Sequence, residues 1–313
     1  MKTVSLGRTD IAVVNAPLGA MYLGTKQDRA ESFALLDHYV DRGGNFIDSA
    51  NIYAHWVGPQ WRGGESETLL GEWLRARRNR QNLVIASKVG FGYADVPTGL
   101  TPALTKAECD KSLRRLGTDR IDLYFAHVDD LSQASLDILG AFADLIAAGK
   151  IRTLGASNFT TGRLAEANAL AAANGLPRYE VLQPRFTYLR PRHDASFGPQ
   201  LAMTADMAAY CRASDISIMP YSSGLGGAYR GRADRPLPEQ YAGRDSDLRL
   251  AALAAVAKET GASAHQIVFA WLAAKGTLPL VAGSSTAQLD ENLDAIDIAL
   301  TADQIERLDA AGE

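Results

Sequence analysis

Short unbroken runs of apolar residues alternate along the chain with longer stretches in which apolar positions recur every three or four residues. The runs fall at 14–19, 45–49, 83–88, 121–127, 152–157, 179–183, 216–221 and 278–283. Each is too short for a helix, and an apolar run without alternation predicts a strand buried on both faces. The stretches between them predict helices. In 29–42, Phe33, Leu36 and Val40 form one stripe that Gly43 and Gly44 stop. Leu69, Leu70, Trp73 and Leu74 do the same in 65–79, and Leu104, Ala107, Leu113 and Leu116 in 103–116. Residues 132–148 carry Leu136, Leu139, Phe142 and Ile146 ahead of Gly149. Further helices are predicted at 160–173, 203–213, 247–260 and 263–275.

Strands that alternate with helices predict an α/β protein with a parallel sheet. Eight such units favour a closed (β/α)8 TIM barrel, with an open doubly wound sheet as the alternative. Residues 2–13 read as an N-terminal β-hairpin that turns at Gly7-Arg8-Thr9-Asp10 and caps the barrel's base. Extra C-terminal helices are expected to complete the fold. No low-complexity stretch or linker divides the chain, so 1–313 is expected to be one barrel domain. Long irregular stretches at 54–64, 89–102, 184–202 and 222–246 all leave the C-terminal ends of strands, the rim where barrel enzymes keep their chemistry.

Composition narrows the function classes. The chain has 313 residues, 47% of them hydrophobic, enough for a large core, and a formal charge of −4 with interspersed signs. That argues against nucleic acid as a partner. Cys109 and Cys211 lack CxxC spacing and fit small core residues in a reducing, cytoplasmic setting. No apolar run reaches eighteen residues and no leader-type segment opens the chain, so neither a membrane span nor secretion is expected.

In a barrel the strand ends converge. They deliver Asp48 and Tyr53, then Lys88, His127, Ser157, Asn158, Gln183 and Tyr221 to one rim. Tyrosine, with a pKa of about 10, is a poor proton carrier at neutral pH. A neighbouring ammonium stabilises phenolate, so Lys88 is expected to lower the pKa of Tyr53 while Asp48 holds Lys88 and His127 donates to a carbonyl oxygen. Such a set suits protonation of an oxygen whose carbon is being attacked. Neither metal-ligand spacing nor GxSxG occurs, so the attacking species reads as an external hydride. Singly, the residues say less. An Asp-x4-Tyr pair is usually structural, His127 also fits a satisfied core histidine, and Lys88 stands out because a buried ammonium needs a partner. "GLGGAY" (224–229) and "GFGYAD" (90–95) both lack the third glycine of GxGxxG and support no Rossmann crevice.

Across nearly its whole length the chain resembles the aldo-keto reductases. The motifs are "LGRTDIAV", "FIDSANIY", "GGESETLLGEWL", "VIASKVG", "RLGTDRIDLYFAHVDD", "IRTLGASNF", "LQPRFTYL", "MPYSSGLGGAYRGR" and "AGSSTAQLDENL", in that order. The resemblance implies a (β/α)8 barrel that binds NADP or NAD in extended form. It also implies a catalytic set of Asp48, Tyr53, Lys88 and His127, with Tyr53 as general acid in reduction and general base in oxidation. Ser157, Asn158 and Gln183 are then expected at the nicotinamide carboxamide, with Gly19, Met21 and Asp48 close by and Tyr221 stacked on the ring. Ser222, Leu225, Gly226 and Gly227 would follow the pyrophosphate, and Gly283, Gln288 and Asn292 the adenosine end. The substrate would be the aldehyde, ketone or hydroxyl of a small polar molecule, sugar-like ones included, lined by Tyr22, His55, Trp56, Trp61 and Phe91, with Met21 and Tyr93 at the mouth. One departure matters: "AGSSTAQLDENL" offers Ser284, Ser285 and Thr286 but no cation for a 2′-phosphate. Either NAD is accepted or one of Arg230, Arg232, Arg235 and Arg244 compensates. Two alternatives stay open: a Schiff-base lyase built on Lys88, and a nucleotide-sensing regulatory subunit.

Overall fold

A computed structural model describes residues 1–312. Seven parallel strands follow one another around a curled sheet in chain order: β3 (Leu18–Gly19), β4 (Phe46–Asp48), β5 (Val84–Val89), β6 (Ile121–Ala126), β7 (Ile151–Ser157), β8 (Tyr179–Gln183) and β9 (Ser217–Ile218). The segment predicted as an eighth strand at 278–283 closes the barrel without forming a regular ladder. Leu278 and Leu280 donate to the carbonyls of Ile218 and Pro220 at 2.8 and 3.0 Å. On its other side Val281 donates to Pro17 at 2.9 Å, and Gly19 donates back to Val281 at 2.8 Å. Pro17, Pro220 and Pro279 lack an N–H, which breaks up regular pairing at this seam.

Two short antiparallel strands, β1 (Thr3–Ser5) and β2 (Ala12–Val14), precede the barrel. Leu6, Ile11 and Val13 of this hairpin pack with Phe46, Val84, Leu123, Val181 and Leu278, which closes the barrel interior from its N-terminal end. Helices α1 (Arg29–Asp41), α2 (Glu65–Arg77), α3 (Pro102–Leu116), α4 (Ser135–Ala147), α5 (Thr161–Asn174) and α6 (Ala205–Ala213) alternate with the strands. After β9 come α7 (Arg244–Thr260) and α8 (Ala264–Ala274), and the extra C-terminal helices are α9 (Thr286–Ile296) and α10 (Ala302–Ala310). Their starts are set by side chains that satisfy orphan N–H groups. Asp28 and Glu31 form a capping box on α1, and Thr101 caps α3 just ahead of Pro102.

The barrel wall and the inner faces of the helices make the main core. A second core lies beneath the loops after β8 and β9, where Tyr188, Tyr229 and Tyr241 pack on Leu253, Val256, Ile267, Leu272 and Leu308. These three tyrosines anchor the loops to the helices beneath them. Among the described residues no helix is long and apolar enough to cross a membrane.

Candidate active site

Strand register brings the first residues together. Asp48 ends β4 beside Gly19 on one side and Ala86 on the other, and Lys88 lies opposite Phe125 on the next pair of strands. Both side chains are wholly buried. The chain then turns back after β4, and Ala54 takes a left-handed backbone (φ 75°), which returns Tyr53 over the strand ends. Lys88 Nζ donates to Asp48 Oδ2 at 2.6 Å, to the Ser49 carbonyl at 2.7 Å and to the Tyr53 hydroxyl at 2.7 Å. An ammonium has three N–H bonds, and all three are used. Tyr53 also lies 3.3 Å from Asp48 Oδ2, while Gln183 Nε2 donates to Asp48 Oδ1 at 3.1 Å.

Burial is the strongest influence on these groups. It pushes the Tyr53 phenol well above its usual value, and the Asp48 carboxylate pushes the same way. This corrects the expectation that Lys88 makes the phenol acidic: in the resting pocket Tyr53 keeps its proton. Burial lowers Lys88, with Asp48 opposing. It also holds His127 well below the ordinary histidine range, and the nearby Lys88 adds to the effect, so the ring is neutral at pH 7. His127 stands edge-on to Phe91 with centroids 4.8 Å apart and to Tyr53 at 6.0 Å, and its Nδ1 has no protein partner.

The residues that the resemblance assigns to the nicotinamide form one connected set. Asn158 adopts a left-handed backbone (φ 59°); its Nδ2 donates to the His127 carbonyl at 2.9 Å, and its Oδ1 accepts from Tyr221 at 2.9 Å and from the Leu201 N–H at 3.1 Å. Ser157 Oγ donates to the Gln183 carbonyl at 2.8 Å. Gln183 in turn holds Asp48, so these side chains brace the Asp48–Lys88–Tyr53 cluster, a link that sequence alone did not reveal. Farther along, Ser222, Leu225, Gly226 and Gly227 all have positive φ (57°, 45°, 64° and 96°). Leu225 and Gly227 donate back to the Ser222 and Gly224 carbonyls at 3.0 and 2.8 Å, so the stretch folds into tight turns. A side chain added at Gly226 would meet nothing within 4 Å. Gly283 has a packing reason: a Cβ there would lie 2.8 Å from the Leu289 nitrogen. Asn292 is buried, donating to the Ala282 carbonyl at 2.5 Å and contacting His265 at 2.8 Å. Gln288 folds back on Ser284 through bonds of 3.1 and 3.0 Å. Arg230 is paired with Glu291 and Arg232 with Asp234, so acids already engage two of the four loop arginines.

At the mouth, Met21 and Phe91 pack around Ala50, Ile52, Tyr53 and Tyr93. Trp56 lies edge-on to Tyr53 at 6.4 Å and to His55 at 5.3 Å, with 47% of its surface exposed. Tyr22 stacks instead under the Lys26 ammonium, and among the described residues no ring contact joins Trp61 to this cluster. Behind the site runs a buried ionic chain through Glu67, Arg115, Tyr93, Glu108 and Asn51. Gly63 and Gly64 open the motif that carries Glu67, and no helix or strand signal explains the pair.

The arrangement places a protonated phenol, backed by an ammonium and a carboxylate, beside a neutral imidazole in an aromatic-walled pocket. The model of the Aldo/keto reductase family matches residues 17–313. A norsolorinic acid reductase from Aspergillus flavus is 28% identical over 297 residues, covering 91% of this chain and 72% of that protein. An aryl-alcohol dehydrogenase [NADP(+)] from Phanerodontia chrysosporium is 29% identical over 327 residues, covering 93% and 80%. Among solved structures, a thermostable aldo-keto reductase in complex with the inhibitor epalrestat superimposes with a TM-score of 0.76 at 25% identity, covering 99% of this chain and 100% of that one.

Proposed function

Since the chain belongs to the aldo/keto reductase family of oxidoreductases, we propose that it reduces the carbonyl of a small planar substrate with a nicotinamide cofactor, using Tyr53 as proton donor. The observation that carries this reading is the Tyr53 hydroxyl held 2.7 Å from a fully buried Lys88 that is itself 2.6 Å from Asp48. Once bound, NADH or NADPH supplies a hydride to the carbonyl carbon. The residues present fit such a group, because the tight turn at Leu225–Gly227 leaves Gly226 facing open space, where a diphosphate can approach the backbone closely.

Tyr53 enters the reaction protonated. Its proton passes to the carbonyl oxygen as negative charge develops there, and the phenolate left behind sits directly against the Lys88 ammonium. That pairing is made only once the proton has moved, so it lowers the barrier rather than merely favouring binding. Asp48 fixes the ammonium, and Gln183 fixes Asp48. Neutral His127 offers one ring N–H to the same oxygen and so selects the productive carbonyl orientation.

Trp56, Phe91 and Met21 around Tyr53 favour a flat, apolar substrate, because aromatic walls stack on such faces. Relatives named for norsolorinic acid and aryl alcohols point the same way. The Schiff-base alternative is disfavoured by Lys88 itself, which is wholly buried with every N–H bonded and offers no lone pair to a substrate. The test is Tyr53→Phe, assayed with aryl aldehydes and ketones and both dinucleotides. Turnover is expected to fall on the order of a hundred- to ten-thousand-fold while dinucleotide affinity is kept. Near-normal turnover would overturn the assignment.

A further inference from the structure

Tyr53 lies on a turn outside the strands, and nothing in β4 alone fixes its height over Lys88. Its neighbour Asn51 reaches away from the pocket: Asn51 Nδ2 donates to Glu108 Oε2 at 2.8 Å, beneath α3. The same carboxylate oxygen accepts from the Tyr93 hydroxyl at 2.6 Å. Tyr93 in turn accepts from Arg115 Nη2 at 2.9 Å, and Arg115 Nη1 donates to Glu67 at 2.9 Å on α2. Glu67 also accepts from Ser87, the residue before Lys88 on β5. Glu67 and Glu108 are wholly buried, and Lys111 at the surface completes the charge balance on Glu108 at 2.7 Å.

The chain of bonds thus starts two residues before Tyr53 and ends one residue before Lys88. It runs outside the barrel wall while both reacting side chains lie inside. The Tyr93 ring packs in the same apolar cluster as Tyr53, Ala50 and Ile52, so this path touches the proton donor from both sides of its turn. The network also accounts for the unexplained glycines. A Cβ at Gly63 (φ 89°) would fall 2.4 Å from the Tyr93 ring, and one at Gly64 (φ 87°) 2.4 Å from Arg115 Nε. Only glycine lets the backbone cross so close above both side chains in that conformation.

We propose that the buried chain Glu67–Arg115–Tyr93–Glu108–Asn51 is a positioning device that sets the distance between Tyr53 and Lys88. Tyr93 enters it through its hydroxyl, which is bonded to Glu108 and Arg115, while its ring stays at the pocket mouth. Glu108 is the keystone, because a single carboxylate holds both the Asn51 turn and the Tyr93 loop. This inference rests on Tyr53 being the proton donor.

The probe is Tyr93→Phe, which deletes the one hydroxyl linking Arg115 to Glu108 and leaves the packing of the ring in place. Asn51→Ala cuts the other link to Glu108. With kinetics taken well below the unfolding temperature of each variant, kcat is expected to fall about ten- to a hundredfold, the range that small misplacements of a reacting group produce. Dinucleotide affinity and the substrate KM should change less than about threefold, and the double variant should be little worse than either single one, since both cut one path. A network that only stabilises the fold would lower the melting temperature and leave kcat intact, which would overturn the proposal, as would independent, multiplying losses in the double variant. Tyr53→Phe is run alongside. If it stays active, the proton-donor reading fails; if it is dead while Tyr93→Phe and Asn51→Ala turn over normally, only the positioning inference fails.

Discussion

Replacing Lys88 with methionine separates what the ammonium does for the fold from what it does for the chemistry. Methionine occupies much of the same buried volume and removes all three N–H donors. Asp48 would keep only the Gln183 amide at 3.1 Å and the Tyr53 hydroxyl at 3.3 Å, both neutral donors. Breaking one side of a buried ion pair costs about 3–5 kcal/mol. The Ser49 carbonyl, which accepts from Lys88 at 2.7 Å, would also lose its donor, a loss of about 1–3 kcal/mol that overlaps the first. We therefore expect Lys88→Met to lose about 4 kcal/mol of stability. Adding Asp48→Asn removes the stranded charge, and the double variant should regain at least about 2 kcal/mol over Lys88→Met; that recovery plus the cost of Asp48→Asn alone is the interaction term of the cycle. Urea unfolding of the parent, both single variants and the double measures it, and turnover should be lost in all three variants. A loss below about 1 kcal/mol for Lys88→Met, or simple additivity in the cycle, would refute the claim that these two charges stabilise each other.

Other outcomes follow from particular contacts. Gly71 lies within α2, where alanine is ordinarily the better helix former by about 1 kcal/mol, yet a Cβ there would sit 2.2 Å from the Arg115 carbonyl oxygen. Gly71→Ala should therefore destabilise the protein by about 1–3 kcal/mol, and a raised melting temperature would contradict the α2–α3 packing. Burial lowers both His127 and His265, with Lys88 and Arg230 respectively adding to it. The unfolded chain then binds more protons below about pH 6.5, so stability should fall as pH drops, by at most about 1.4 kcal/mol per pH unit for each histidine. His127→Gln should flatten that slope in unfolding curves taken from pH 7 to 5; an unchanged slope would show the ring is not held neutral. With Arg230 and Arg232 already paired to acids and only hydroxyls at Ser284 and Ser285, discrimination between NADPH and NADH should be modest. An affinity ratio within roughly tenfold is expected by fluorescence titration, since one charge-assisted bond accounts for more than that. A thousandfold preference that survives removal of Arg230, Arg232, Arg235 and Arg244 would exclude this account.

The barrel was legible because parallel strands leave uninterrupted apolar runs and the helices between them keep one periodic stripe. The seam at 278–283 was harder, since Pro279 and the flanking Pro17 and Pro220 suppress regular pairing without altering the hydrophobic pattern. Asp48, Lys88 and Tyr53 could be grouped from the strand order alone. The protonation of Tyr53 could not, because it depends on how completely the pocket excludes water. Tyr22 and Trp61 were expected at the pocket as aromatic neighbours in sequence; Tyr22 stacks under the Lys26 ammonium, and among the described residues no ring contact joins Trp61 to the Tyr53 cluster. The pairing of Glu67, Tyr93, Glu108 and Arg115 carried no signal, because it spans loops and two helices and follows no local spacing.

Ala54 is the residue on which the site's geometry pivots. A left-handed alanine stores a small conformational tension directly after Tyr53. Such a kink persists only while everything around it is tight, so whatever slackens the neighbouring walls lets the turn relax and carries the phenol off its mark. Failure in this enzyme should accordingly be graded, with turnover fading before the barrel itself gives way.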